Sequence, residues 1–203
     1  MRIAVLGTGM VGRTLAGKLR ELGHDVVVGS REAGDDSRPF EEAAAHGELI
    51  VNATNGEHAL AALAQAGDDN LRGKVLVDVT NPLDFSRGRP PTLSVCNDDS
   101  LGEQIQRAHP EARVVKTLNT VNANVMVDPS LVPGDHDIFV SGNDEGAKDD
   151  VVALLESFGW PREHILDLGD ITTARGPEMY LPLWLRLFGA AGSPNFNIHL
   201  VRG

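Results

Sequence analysis

The feature that most constrains this chain is the run Gly7-Thr8-Gly9-Met10-Val11-Gly12. It follows a short β-forming run, Arg2-Ile3-Ala4-Val5-Leu6, and leads into a segment with Val11, Leu15, Leu19 and Leu22 on one helical face and a stop at Gly23. In a G-x-G-x-x-G spacing the first glycine makes a tight turn, the second lets backbone approach a pyrophosphate, and the third lets helix pack closely on strand. The helix aims its positive N-terminal end at the turn. With a second strand at Asp25 to Val28, these residues form a strand-turn-helix-strand unit that grips a nucleotide.

The end of that second strand indicates which nucleotide. An NAD site carries Asp or Glu about 20 residues past the glycines, to accept from the ribose 2′-hydroxyl. Here the strand ends Gly29-Ser30-Arg31. The permanently charged arginine fork suits a 2′-phosphate, and the Ser30 hydroxyl is a donor beside it. These residues predict NADP; Glu32, one place later, is the residue that would serve NAD instead.

Downstream, strand and helix alternate. A helix is expected over Pro39 to His46, a strand over Glu48 to Val51, a helix capped by Asn55 and running through Gln65, and a strand over Gly73 to Val79. After an irregular, Pro/Arg/Ser-rich excursion (Ser86 to Asn97), Ser100 and Glu103 form a capping box for a helix ending at His109-Pro110. Strands at Ala112 to Lys116, Asp137 to Ser141 and His164 to Leu168, with a helix at Asp144 to Phe158, complete the pattern. The expected fold class is α/β: a Rossmann-like, doubly wound, mainly parallel sheet with a small C-terminal helical extension. Residues 1–142 read as an NADP-binding domain, and 143–203 as an extension completing the sheet and a second-cofactor cleft.

A net charge of −11 argues against non-specific binding to nucleic acid or an anionic membrane, so any phosphate must be held by local donors. The single cysteine, Cys96, excludes an intramolecular disulfide. No segment approaches the roughly 20 apolar residues of a membrane span. A soluble, cytoplasmic protein is expected.

Chemically the chain is sparse. Its only tyrosine, Tyr180, has Trp184 four residues on, so the tyrosine-lysine pair of short-chain dehydrogenases is missing. There is no H-E-x-x-H and no cysteine cluster, so no metal ligands are predicted. Lys116 reads as a strand residue, and no side chain stands out as catalytic. Such a site suits hydride exchange between two bound cofactors, where the protein binds, orients and excludes water. Neutral donors and acceptors come from Asn52-Ala53-Thr54-Asn55, Thr80-Asn81-Pro82 and Asn119-Thr120, with His58 bordering them. Leu83, Phe85, Met126 and the apolar tail Met179 to Phe188 are candidates to wall the pocket. Each Asn and Thr also has a plain structural use, satisfying its own turn.

Four stretches in order carry a resemblance: Gly7-Thr8-Gly9 through Ser30-Arg31, Val77 to Leu83, Val114 to Thr120, and Phe139 to Asp144 with Ala147-Lys148. They resemble the NADPH-dependent oxidoreductases of the deazaflavin coenzyme F-420, and the related NADPH domain of six-transmembrane ferric reductases. The resemblance implies that Thr8, Ser30 and Arg31 hold the 2′-phosphate, and that Met10, Val11, Ala53, His58 and Asn81 lie along NADP. It implies that Asn119 borders the hydride-transfer cleft, that the tail shapes this cleft, and that the protein is a homodimer. The chain departs from the archaeal members at Asn119, where they carry histidine, and at Asn52 to Asn55. The expected activity is hydride transfer between NADP(H) and a deazaflavin, or a flavin such as FMN or FAD. The competing readings are a reductase of a small imine or carbonyl, and a non-catalytic NADPH-binding sensor or electron-transfer partner.

Overall fold

A computed structural model describes residues 1–203. The strands are β1 (Arg2–Leu6), β2 (Asp25–Ser30), β3 (Arg38–Pro39), β4 (Leu49–Asn52), β5 (Val75–Asp78), β6 (Leu83–Asp84), β7 (Thr92–Leu93), β8 (Arg113–Thr117), β9 (Ile138–Gly142) and β10 (Ile165–Asp167). The helices are α1 (Met10–Glu21), α2 (Phe40–His46), α3 (Ala59–Ala66), α4 (Asp68–Leu71), α5 (Leu101–Ala108), α6 (Ala123–Val127), α7 (Glu145–Ser157), α8 (Arg175–Met179) and α9 (Leu181–Ala191). Eight strands form one sheet in the order β10-β9-β8-β5-β4-β1-β2-β3, and β7, inside the excursion expected to be irregular, pairs with β6 just before it as a separate ribbon.

The central strands are continuous apolar runs because both faces of the sheet are covered. Successive residues of β1 divide between two cores, as a period of two requires. Ile3 and Val5 join Leu15 and Leu19 of α1 and Val151 and Leu155 of α7. Ala4 and Leu6 join Phe40 and Ala43 of α2, Leu63 of α3 and Ile105 of α5.

The strand at 137–141, read as part of a parallel succession, instead runs antiparallel to β8, with Lys116 opposite Ser141. The length of the connecting helix explains this. Between β8 and β9 lie only the five-residue α6 and a short 3-10 turn at Pro129–Leu131. A five-residue helix rises about 7.5 Å, whereas five strand residues span about 17 Å, so the chain re-enters the sheet at the end it left. The thirteen residues of α7 do cross back, and β10 lies parallel to β9. No helix is long and apolar enough to cross a membrane.

Candidate functional site

The order of the sheet reverses between β1 and β4, and the turns leaving these two strands frame a crevice at their carboxyl ends. Gly7, with φ 122°, presses on the end of β4 so closely that a Cβ there would lie 2.5 Å from the Ala53 carbonyl oxygen. A Cβ at Gly12 would lie 2.1 Å from the Gly7 carbonyl oxygen, which is the close helix-to-strand contact that the third glycine permits. Gly9 differs: no atom lies within 4 Å of its added Cβ. It is also the N-cap of α1, and no side chain accepts from the first turn. The first N–H groups of α1 are thus left without a side-chain partner beside the open space at Gly9, the arrangement that receives a phosphate.

The crevice, of about 730 Å³, brings together Gly7, Thr8, Gly9, Ser30 and Arg31 with Ala53, Thr54, Asn55 and His58. Glu32 lines it as well. Asn55 caps the following 3-10 turn by accepting from Glu57 N at 3.1 Å. Met10, Val11 and Gly12 lie outside the lining: Met10 is 76% exposed, Val11 packs on the core, and Gly12 is buried beneath the turn.

Ser30 is not the free donor expected. Its buried hydroxyl gives its proton to the Glu32 carbonyl at 2.5 Å, and its oxygen lies 2.8 Å from Ser37 Oγ, so it folds the loop after β2. Two arginines missed in the sequence stand nearby. Arg13 Nε donates to the Thr8 carbonyl at 2.8 Å, and Arg13 and Arg38 border a second hollow with Thr8, Ser30 and Glu32. Arg13 was findable as the first exposed cation after Gly12.

Behind the crevice runs a buried polar chain. Thr54 Oγ1 donates to Asn52 Oδ1 at 2.8 Å, and Asn52 Nδ2 donates to Asp78 Oδ1 at 3.0 Å. Lys116 Nζ then donates to Asp78 Oδ2 at 2.5 Å and the Thr80 carbonyl at 2.8 Å, and lies 2.8 Å from Glu178 Oε1. Glu178 also accepts from Leu101 N and Gly102 N, at 2.7 and 2.9 Å, taking the first-turn donors of α5 that the Ser100 cap leaves over. Burial opposes the Lys116 ammonium, but the carboxylates of Asp78 and Glu178 outweigh it and hold its pKa above the ordinary lysine value. Lys116 is therefore the cation that fastens the tail to the strand ends.

The turns after β5 and β8 meet through a reciprocal amide pair. Asn81 Nδ2 donates to the Asn119 carbonyl and Asn119 Nδ2 to Asn81 Oδ1, both at 2.9 Å. Neither residue lines the crevice, but Gly56, on the turn after β4, sits so close that a Cβ would lie 1.9 Å from the Asn81 carbonyl oxygen. Leu118, immediately before Asn119, has a left-handed φ of 61°. For a non-glycine residue this costs on the order of 1–2 kcal/mol, strain of the kind concentrated at ligand sites. Thr120 Oγ1 beside it is buried without a partner.

Thr80 is buried, its hydroxyl spent on Asp78 at 2.8 Å, and the Pro82 carbonyl accepts from Ser94 N at 2.8 Å to hold the β6-β7 ribbon. Met126, expected as a wall, is a core residue whose carbonyl accepts from Trp160 Nε1.

This fold, with a glycine turn at the reversal of strand order and a cationic end on β2, defines a Rossmann-type dinucleotide-binding protein. The family described as NADP oxidoreductase coenzyme F420-dependent matches residues 2–82. The F420-dependent NADP reductase of Methanocaldococcus jannaschii is 30% identical over 92% of both chains. Metalloreductase STEAP3 of Rattus norvegicus is 31% identical over 90% of this chain and 38% of its own length. The crystal structure of a proposed F420-dependent NADP-reductase from Arthrobacter sp. FB24 superposes with a TM-score of 0.95, at 54% identity and 100% coverage of both chains. The chain belongs to the coenzyme F420-dependent NADP oxidoreductase family.

Proposed function

We propose that this protein transfers hydride between NADP(H) and the deazaflavin coenzyme F420. The carrying observation is the crevice at Gly9: an uncapped helix N-terminus, open space where a Cβ would stand, and Arg31 at the neighbouring strand end. These features fit a dinucleotide carrying a 2′-phosphate. Thr8 and Arg31 would hold that phosphate and the first turn of α1 the pyrophosphate, with Met10 and Val11 alongside. Gly7 and Gly12 let the turn close. Ala53, Thr54, Asn55 and His58 would border the nicotinamide end. When bound, the nicotinamide nucleotide supplies or accepts a hydride at its ring. Asn81 and Asn119 would present neutral amides to the second ring, with Thr80 and Pro82 supporting their turn from behind.

A free flavin is a further acceptor on this reading. The exposed Leu183 and Phe188 of α9 support a homodimer, to be checked by light scattering of the eluted protein. The free Cys96 fits a cytoplasmic setting.

The test mixes purified protein with NADPH and oxidised coenzyme F420, FMN or FAD, and follows the acceptor's absorbance, with NADH in parallel. Deazaflavin reduction is expected with NADPH, far slower with NADH. If no acceptor is reduced above the rate without protein, the proposal fails.

A further inference from the structure

Asp137, His164 and His199 lie far apart in sequence, yet the fold gathers them at the sheet edge opposite β2 and β3. Their meeting follows from register. Asp137 immediately precedes β9 and His164 immediately precedes β10, and these parallel strands start side by side with Ile138 opposite Ile165. The C-terminal segment then adds His199, because Asp137 N donates to the Ile198 carbonyl at 2.8 Å and Leu200 N to Asp137 Oδ2 at 2.5 Å.

His164 Nδ1 lies 2.9 Å from Asp137 Oδ1, and His199 Nδ1 lies 3.1 Å from Asp137 Oδ2. All three ligand atoms lie within 4.8 Å of one another. A four-coordinate ion with bonds near 2.1 Å sets its ligand atoms about 3.4 Å apart, so small side-chain shifts suffice. Asp135 Oδ1 stands 3.7 Å from His164 Nε2, an exposed carboxylate that adds negative charge beside the group without a hydrogen bond to the ring. The Asp137 side chain is 3% exposed, whereas that of His199 is 36% exposed and leaves the group open to solvent. Glu163 and Arg202 line the same opening, of about 270 Å³.

We propose that Asp137, His164 and His199 bind a divalent transition-metal ion of the zinc class, which clips the C-terminal segment to the starts of β9 and β10. Two imidazoles and a carboxylate suit Zn²⁺, Ni²⁺ or Cu²⁺ and are a poor set for Mg²⁺ or Ca²⁺. The clip has a reach beyond its ligands. Just before it in sequence, the Pro194 carbonyl and Asn195 Oδ1 accept from Asn122 Nδ2 at 2.5 and 3.2 Å, and Phe196 stacks on Trp184 at 5.3 Å between ring centres. Fixing residues 197–200 thereby fixes the chain against Asn122, three residues past Asn119. The metal site itself does not depend on the hydride-transfer reading.

The full-length protein, stripped with chelator and freed of it, is titrated with ZnCl₂ by calorimetry, with thermal midpoint and proteolysis of the C-terminal segment as parallel readouts. One equivalent should bind, the midpoint should rise, and the segment should become protected. Because losing even an outer partner costs about 10- to 100-fold in affinity, removing a ligand in His199→Ala should weaken binding by at least that much and abolish the thermal shift, while His24→Ala should match the wild type. Co²⁺ in place of Zn²⁺ should give the strong visible bands of a four- or five-coordinate site. Equal Zn²⁺ affinity in wild type and His199→Ala, or only the pale spectrum of octahedral Co²⁺, overturns the proposal.

Discussion

The two sides of this molecule are held by different physics. On the glycine-turn side, contacts are made by backbone, and the key positions are those where a side chain is forbidden: Gly7 against Ala53, Gly12 against Gly7, Gly56 against Asn81. On the tail side, contacts are made by charges buried between elements far apart in sequence, with Lys116 between Asp78 and Glu178, and Glu103 gripped by Arg175 at 2.6 and 2.9 Å. At these three glycines backbone meets backbone so closely that no added atom is tolerated. Buried ion pairs are specified only once the fold is complete, and they fail when one partner is removed.

Removing the central cation should sharpen that contrast most. Lys116→Met leaves Asp78 and Glu178 facing each other in a dry interior, and should lower unfolding stability by about 3–5 kcal/mol in urea titrations. Adding Asp78→Asn and Glu178→Gln removes both charges and should recover much of the loss. The wild-type contribution has a defined pH window. The Lys116 pKa is raised in the folded state, so its stabilisation is complete below the ordinary lysine value of 10.5 and is lost as pH rises through the higher folded value. A Lys116→Met variant as stable as wild type at pH 7 would mean that packing, not charge, fastens the tail.

The next effect belongs to the other side. Gly12→Val places methyl groups where even a Cβ meets the Gly7 carbonyl oxygen at 2.1 Å. Overpacking of this kind costs about 1–3 kcal/mol. Because the displaced atoms form the turn itself, NADPH affinity measured by fluorescence titration should fall together with stability. A variant that keeps both would show the turn to be more yielding than its geometry indicates.

A third substitution separates the cofactor from the scaffold. Arg31 is exposed at the end of β2, so Arg31→Ala should leave the urea midpoint unchanged. Losing a hydrogen bond to a charged group costs about 1.5–3 kcal/mol, so NADPH affinity should drop roughly 10- to 150-fold. NADH, with no 2′-phosphate, should bind as before. Equal losses for both nucleotides would instead assign Arg31 to the shape of the crevice.

The same division explains what could be read from the sequence. The strand, glycine turn, helix and second strand over residues 2–30 and the Ser100 cap are local patterns that stand where the residues predict. Asn55, by contrast, caps a 3-10 turn ahead of α3, and Glu103 turns its carboxylate to Ser100 Oγ and Arg175 rather than to Ser100 N. The antiparallel entry of β9 was legible in principle, since α6 is too short to cross the sheet, but an apolar run such as Ile138 to Val140 carries no direction of its own. The sequence predicts a free Ser30 hydroxyl because its partner, the Glu32 carbonyl, depends on how the following loop folds. Asp78, Lys116 and Glu178 are individually ordinary: a carboxylate ending one strand, a lysine ending another, and a glutamate in the tail. Nothing local announces that they meet, nor that Asp137, His164 and His199 do, because the pairing is a property of strand order and register.

The smallest effect tests whether exposed charge adds anything to the tail side. Asp99 precedes Ser100, the cap of α5, whose N-terminus receives Glu178. Arg107 Nη1 and Nη2 reach the two Asp99 oxygens at 2.9 and 2.7 Å, and Gln104 Nε2 donates at 3.1 Å. The Arg107 hydrogen bonds, with help from Gln104, outweigh partial burial and hold the Asp99 carboxyl at about 2, against an ordinary 3.8. A depressed carboxylate stabilises the fold fully above its unfolded pKa and loses that contribution as pH falls through its folded one. The window therefore runs from about pH 4 down to about pH 2. Arg107 is mostly exposed, so the pair is worth at most about 1 kcal/mol at neutral pH. Asp99→Asn should shift the urea midpoint slightly at pH 7 and converge with the wild type as pH falls below about 2. A gap that keeps its neutral-pH size there would show that Asp99 acts by shaping the start of α5 rather than by charge. The tail side would then depend on ion pairs only where they are buried.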